Sequence, residues 1–358
     1  MKKEGNIYSY TAFERFNNSY SSAQIERWYV NTFSFYKYLL YRFGKTKDTQ
    51  LSQDINFTYN HKFSVSHEIK KSSDGKYFAV MENKAVTVWD CVTGEKIASF
   101  EELKMPDTMN FSNSGKLLAV KSESGKIAIY DMTEMKFIKS WLPSKSIGCE
   151  VLFTPDDKYV VSADWKGNIY TIDIDSGEVA FIKDDLFGKY DSLKFDNETN
   201  GFIFEEEERR LIWKYPFKEN EPEEQKHNYR FEETAYSEVN KCYAIMTVCM
   251  DKKMLIVDKE YKQILKEIAV PNAKGGKART LNAAWSPDGK FFALIINTGE
   301  CYRGSRIYTT QLMEYPSLRV IKEYKIPYAY FVEFTDDGKQ LLIGGFETGY
   351  CIDLDTIK

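Results

Sequence analysis

Three histidines, His61, His67 and His227, are the only imidazoles in the 358 residues. Their spacing fits no tetrahedral zinc site, which draws ligands from closely spaced pairs. Six cysteines, Cys91, Cys149, Cys242, Cys249, Cys301 and Cys351, are scattered with no Cys-x-x-Cys among them. Such a set reads as small apolar core residues in a reducing compartment. Asp173, Asp175 and Glu178 in DIDSGE alternate like the acids of a calcium loop, but the rest of that loop is missing and the segment reads as a turn. PNAKGGKART holds Gly-Gly-Lys without the Gly-x4-Gly-Lys-Ser/Thr spacing that cradles a phosphate. No Gly-x-Ser-x-Gly elbow occurs. Nothing here points to catalysis, and no cofactor or metal is implied.

Recognition chemistry is better represented. Lys274, Lys277 and Arg279 lie in PNAKGGKART, and Tyr302, Arg303 and Arg306 lie in NTGECYRGSR. Arg and Tyr are the residue types that most often anchor interfaces. Five cations around one aromatic, in a chain of net charge −4, would form a local positive patch. That patch suits an acidic protein surface or a phosphate backbone. A second candidate is the charge run at 204–233, with ten acids and six bases. Within it Glu205, Glu206, Glu207 and Glu208 form an alternative acidic dock for a basic partner. PFKENEPEEQKH, in the same run, reads as a loop. Further acids, including Glu82, Glu123 and Asp164, recur in turns and could make an acidic rim.

These residues must be held by a scaffold, and the scaffold is repetitive. Ser72 to Phe100, SSDGKYFAVMENKAVTVWDCVTGEKIASF, divides into apolar runs separated by Asp-Gly and Thr-Gly turns. With SVSHEIKKS before it, the stretch reads as a four-stranded meander. Copies aligned on Gly75 occur at Gly115, Asp157, Gly289 and Gly338, with weaker ones at Thr199 and Asn240. Spacings between successive copies are 40, 42, 42, 41, 49 and 49 residues. The two long spacings are insertions, and they contain the two basic segments. About fifteen residues after the anchor, an apolar strand ends in Asp90, Asp131, Asp173, Asp258 or Asp353. The two units with LIWKY and QLMEY lack that Asp.

A unit of this size cannot bury both faces alone, whereas seven stacked radially can. The SPDG-type turns and strand-terminal Trp89-Asp90, with its Tyr-, Ile- and Val-Asp variants, resemble the WD-repeat family over about residues 55–358. The resemblance implies an all-β, seven-bladed β-propeller of four-stranded blades. Trp89-Asp90 is the one true Trp-Asp pair and no Gly-His dipeptide occurs. The family's Asp–His–Ser/Thr–Trp network is therefore not expected, and Asp90 should act on local backbone groups. The seventh unit supplies three strands. Ile55–Phe63, which alternates apolar with polar residues, is expected to close the last blade by adding the fourth.

Residues 1–54 form a separate N-terminal segment. Ile25, Trp28, Phe33, Tyr36, Leu39 and Phe43 recur at helical spacing, which predicts a short aromatic-rich helix at about 21–43. No run reaches the roughly 18 apolar residues of a membrane span, and MKKEGNIYSY has no apolar core of a signal peptide. These features suggest a cytoplasmic protein. The resulting expectation is a non-catalytic scaffold or adaptor that binds a macromolecule, chiefly protein, through a propeller face. The alternatives are a propeller enzyme of hydrolase or lactonase type, or a nucleic-acid-binding module.

Overall fold

The computed structural model describes residues 61–63 and 67–356, apart from residue 83 and short stretches at 147–149, 185–191, 206–208, 218–221, 227–230, 248–253, 269–271, 274–275, 278, 303–304 and 346–348. The predicted helix at 21–43, and residues 55–60 of the expected closing strand, lie outside the described residues.

Seven four-stranded antiparallel sheets form a β-propeller. Blade one comprises Glu68–Lys71, Tyr77–Met81, Val86–Asp90 and Lys96–Phe100, ordered from the central channel outward. Blade two comprises Pro106–Phe111, Leu117–Ser122, Ile127–Asp131 and Lys136–Trp141; blade three comprises Val151–Phe153, Tyr159–Ala163, Asn168–Asp173 and Val179–Asp184. Blade four comprises Ser192–Asp196, Gly201–Glu205, Arg209–Lys214 and Glu223–Lys226. Its outer strand falls inside the segment read from sequence as a loop. Charged residues fit there because an outer strand faces water. Blade five comprises Phe231–Ser237, Cys242–Thr247, Met254–Asp258 and Ile264–Ile268; blade six comprises Arg279–Trp285, Phe291–Tyr302, Ser305–Glu314 and Arg319–Pro327. In blade seven, Ala329–Phe334, Gln340–Gly345 and Gly349–Asp353 are joined by His61–Phe63 as the outermost strand. The pairs are His61 with Cys351, Lys62 with Tyr350 and Phe63 with Gly349.

The middle strands of each blade are covered on both sides, so they read as nearly continuous apolar runs rather than alternating ones. Phe78 to Met81 are all buried, whereas Lys96 and Ile97 on the outer strand are exposed. Among the described residues, six of the seven joints between blades are apolar. Phe100 of blade one stacks on Tyr130 of blade two with ring centroids 4.2 Å apart. Ile69 and Phe78 of blade one pack with Leu342 and Cys351 of blade seven, and close the ring. The joint between blades four and five is different. Lys194 lies 4.0 Å from the Tyr243 ring centroid, and the Arg210 guanidinium lies 5.5 and 5.3 Å from the Tyr243 and Tyr261 rings. Arg210, only 4% exposed, also donates to the Tyr243 hydroxyl (2.6 Å), Gln225 Oε1 and the Lys259 carbonyl. Cation–π contacts gain strength where water is excluded.

The repeated motifs have local physical roles. Ser72 Oγ donates to Asp74 Oδ1 and accepts from Tyr77 N. Thr154 with Asp156, Ser286 with Asp288 and Thr335 with Asp337 repeat that arrangement. The anchor residue takes positive φ, which favours glycine. At Gly289 (φ 68°) a Cβ would also stand 2.6 Å from Asn240 Nδ2, whose amide donates to the Gly289 carbonyl. Asp157 occupies this conformation with a side chain (φ 58°). It accepts from Asn113 N and Ser114 N of blade two, so its strain is offset by bonds to the neighbouring blade. In blades four and five the positive φ falls one residue later, at Asn200 and Lys241. That shift is why these two copies look weak.

The strand-terminal aspartates close the next turn. Asp90 Oδ1 accepts from Val92 N and Thr93 N, and Asp131 Oδ1 from Thr133 N and Glu134 N. Those backbone bonds outweigh partial burial and hold Asp131 below the usual carboxylate range. Trp89, a residue the repeat pattern suggests is deeply buried, is only partly so. Its Nε1 donates to Thr87 Oγ1, which in turn donates to Glu82 Oε1, and its ring packs against the joint with blade seven.

Two outcomes are expected. Trp89→Ala should cost about 3 kcal/mol, as large-to-small changes at packed sites do, and Asp90→Ala about 1 kcal/mol, the scale of net hydrogen bonding. Equilibrium denaturation would check both, and equal losses would mean that Asp90 does more than close its turn. Deletion of residues 1–64 should uncover the Gly349–Asp353 edge and lower the melting temperature by at least about 5 °C, with aggregation. A monomer with unchanged melting would show that the closing strand contributes nothing.

Candidate partner-binding face

Antiparallel connectivity puts the turns between strands one and two at one end of the blades. The turns between strands two and three, and the connections from blade to blade, lie at the other end, the upper face. The lower turns are pinned to one another. Ser73 Oγ donates to the Ser112 carbonyl, Asn113 binds Asp157, and Lys71 pairs with Asp337 at 3.3 Å. A face bound in this way presents a rigid surface rather than adaptable loops.

Both insertions lie at the upper end of blade six. Strand two of that blade, Phe291–Tyr302, and strand three, Ser305–Glu314, outrun their neighbours. Strand one pairs only as far as Arg279 with Asn297, and strand four as far as Pro327 with Ile307. Beyond a register shift between Asn297 and Glu300, the pairs Glu300–Ile307, Cys301–Arg306 and Tyr302–Ser305 form a two-stranded arm. A bulge of this kind bends a hairpin and re-aims it. The other insertion forms a small hairpin, Asn272–Ala273 with Gly276–Lys277, lying against the long strand Phe291–Tyr302.

The backbone therefore gathers Lys277, Arg279, Tyr302 and Arg306 at one end of one blade. Lys274 and Arg303 lie outside the described residues. Glu205 ends strand two of blade four, opposite Ser192 and Arg210; Glu206, Glu207 and Glu208 also lie outside the described residues. The two candidate docks are two blades apart on the same face.

The acidic rim is a different matter. Asp164 has no exposed surface. It accepts from Lys166 N, Asn168 N and Asn168 Nδ2, and so closes its own turn. Glu82 is held by Thr87. Neither is a free surface carboxylate.

Sequence reasoning missed a set of polar and charged groups on the two inner strands of the blades and the residues beside them. Glu68 Oε2 of blade one accepts from Met109 N of blade two at 3.1 Å. Glu150 Oε2 of blade three accepts from Leu193 N of blade four at 2.7 Å. Asn282 Oδ1 of blade six accepts from Val332 N of blade seven at 3.4 Å. Each of the three stands seven residues before its turn anchor, and each partner stands six before the next anchor. One register position thus carries a blade-to-blade clasp, and that recurrence was the available signal. Lys70 of blade one pairs with Glu333 of blade seven at 2.5 Å. Lys121 of blade two, with no exposed surface, donates to Ser162 Oγ and the Ala163 carbonyl of blade three at 2.9 and 2.6 Å.

Burial pushes the Glu68 carboxyl up to about 7 although Lys70 opposes it. Burial likewise raises Glu150. For Lys70 burial works against the charge, but Glu333 and Glu68 outweigh it and hold the ammonium above the usual lysine range. Burial also raises the thiols, Cys91 and Cys351 to about 12 and Cys242 to about 11. At neutral pH these three are poor nucleophiles. No group of His, Cys, Asp and Glu suited to a metal ion occurs among the described residues. No helix among them is long and apolar enough to cross a membrane.

A family model described as eukaryotic translation initiation factor eIF2A matches residues 33–171. The match takes in blades one and two and the inner strands of blade three. No curated protein matches the chain.

Lys121→Met keeps the aliphatic stem and removes the ammonium that donates to the Ser162 and Ala163 oxygens. It should cost about 2 kcal/mol, the scale of unsatisfied buried acceptors. A urea denaturation midpoint unchanged from wild type would show that water replaces the ammonium at no cost.

Proposed function

We propose that this propeller is a non-catalytic scaffold acting in translation, a divergent WD-type protein of the cytoplasm. It docks a macromolecular partner on the upper face. The observation that carries the reading is the match to the translation initiation factor model over residues 33–171. The blade-six arm and its neighbouring hairpin supply the docking element. The two segments carry Lys274, Lys277, Arg279, Arg303 and Arg306 as well as Tyr302. The same segments contain Gly275, Gly276 and Gly304, and ordering glycine-rich sequence on a partner carries an entropic cost. The fitting partner is a protein of the initiation machinery with an acidic surface. A rigid seven-bladed ring suits holding partners better than transforming them.

Co-sedimentation of the tagged chain with ribosomal subunits from its own host, at graded salt, tests this. The wild-type chain should travel with a subunit fraction at low salt and be released as salt rises. Lys277→Glu with Arg303→Glu should weaken retention about tenfold and flatten the salt dependence, with the melting temperature unchanged. A wild-type chain that stays at the top of the gradient at every salt would overturn the translation reading. Full retention of the double variant would move the dock to Glu205–Glu208.

A further inference from the structure

The inner rim where blades seven, one, two and three meet holds more carboxylates than ammonium groups. Glu68, Glu150 and Glu333 are the acids; Lys70 and Lys121 are the bases. Lys70 is committed to Glu333 at 2.5 Å and stands farther from Glu68, at 3.5 Å. Lys121 is committed to Ser162 and Ala163. Of the two acids that share Lys70, Glu68 therefore has the weaker claim on it. Its side chain is 14% exposed.

The groups around Glu68 come from every neighbour. Its own strand brings Lys70, with His67 just before it. Blade seven brings Glu333, and its second strand, Gln340–Gly345, has no titratable residue. Tyr77 is the titratable residue on the paired strand Tyr77–Met81. Blade two brings the Met109 N–H, with Asp107 on the same strand. Blade three adds the negative charge of Glu150, beside which Lys121 stands.

We propose that this rim is a proton-linked joint, in which Glu68 carries a proton in the folded ring and releases it as the pH rises to neutrality. A neutral carboxyl still accepts the Met109 N–H through its carbonyl oxygen, so the clasp survives protonation. The proton also cancels the excess negative charge. This reading is independent of any partner. It makes the ring more stable on the acid side of neutrality, in the sense expected for a carboxyl raised from 4.5 to about 7. Below pH 4.5 both folded and unfolded chains hold the proton. Between 4.5 and 7 only the folded chain holds it, so stability falls as pH rises through this window. Above 7 neither holds it, and this contribution is flat.

The test is thermal melting of the full chain from pH 4.5 to 8.5, for wild type, Glu68→Gln and Glu150→Gln. Glu68→Gln keeps a neutral acceptor. Its profile should lack a fall that wild type shows between pH 4.5 and 7, equal to up to about tenfold in the unfolding constant per pH unit. It should also melt above wild type at pH 8. Glu150→Gln removes a negative neighbour, so the fall should shift to lower pH. If Glu68→Gln does not fold, carboxyl carbon titration of glutamate-labelled wild type by NMR gives the same answer. One glutamate midpoint near 7 that drops in Glu150→Gln supports the joint. Parallel melting profiles for wild type and Glu68→Gln, or glutamate midpoints all below about 5, would overturn it.

Discussion

A blade of this ring can be stable only when a neighbour covers each of its two faces. Four strands make a sheet about one side chain thick on either side, and the middle strands are apolar on both. The condition is cyclic, since blade seven needs blade one as much as blade one needs blade two. Closure at Ile69, Phe78, Leu342 and Cys351 is thus the contact on which the other six depend. The lower turns act together with this packing. Their hydrogen bonds fix the angle between neighbouring blades, and the clasps on the innermost strands fix their height.

The architecture was legible because the repeat is local. Alternation of apolar runs with Ser/Thr-x-Asp-Gly turns is a property of consecutive residues, and the turn bonds at Ser72, Thr154, Ser286 and Thr335 form within six residues. The outer strand of blade four was not legible. Glu223–Lys226 carries no apolar signal because an outer strand has little to bury. The clasps were harder still. Glu68 and Glu150 look like ordinary surface acids until two blades are placed side by side, and their partners are backbone N–H groups, which sequence does not distinguish. The insertions stood out by spacing alone, which located the arm of blade six but gave no indication of its bulge.

The interior departs from a simple apolar ring in two places. At the joint of blades four and five, tyrosines face cations rather than aliphatic side chains. At the inner rim of blades seven to three, acids and lysines share a confined space. Buried charge seldom adds net stability, because desolvation consumes most of the attraction. What it does add is discrimination. Arg210, held by Gln225 of its own blade, reaches Tyr243 and Lys259 of blade five in one arrangement only, and a blade displaced by one residue would lose those two bonds. The polar joint thereby fixes the relative position of blades whose apolar surfaces would tolerate some sliding.

The pairing of His61–Phe63 with Gly349–Asp353 also sets an order in time. A strand near the start of the described chain waits for a partner almost three hundred residues later. During synthesis the early blades can pack on one another, but their first edge stays open until the seventh blade has emerged. Pairings so distant in sequence form slowly. The growing chain must spend that interval with one apolar blade face and one strand edge exposed, and it is in this interval, rather than in the finished ring, that the protein is most exposed to misassembly.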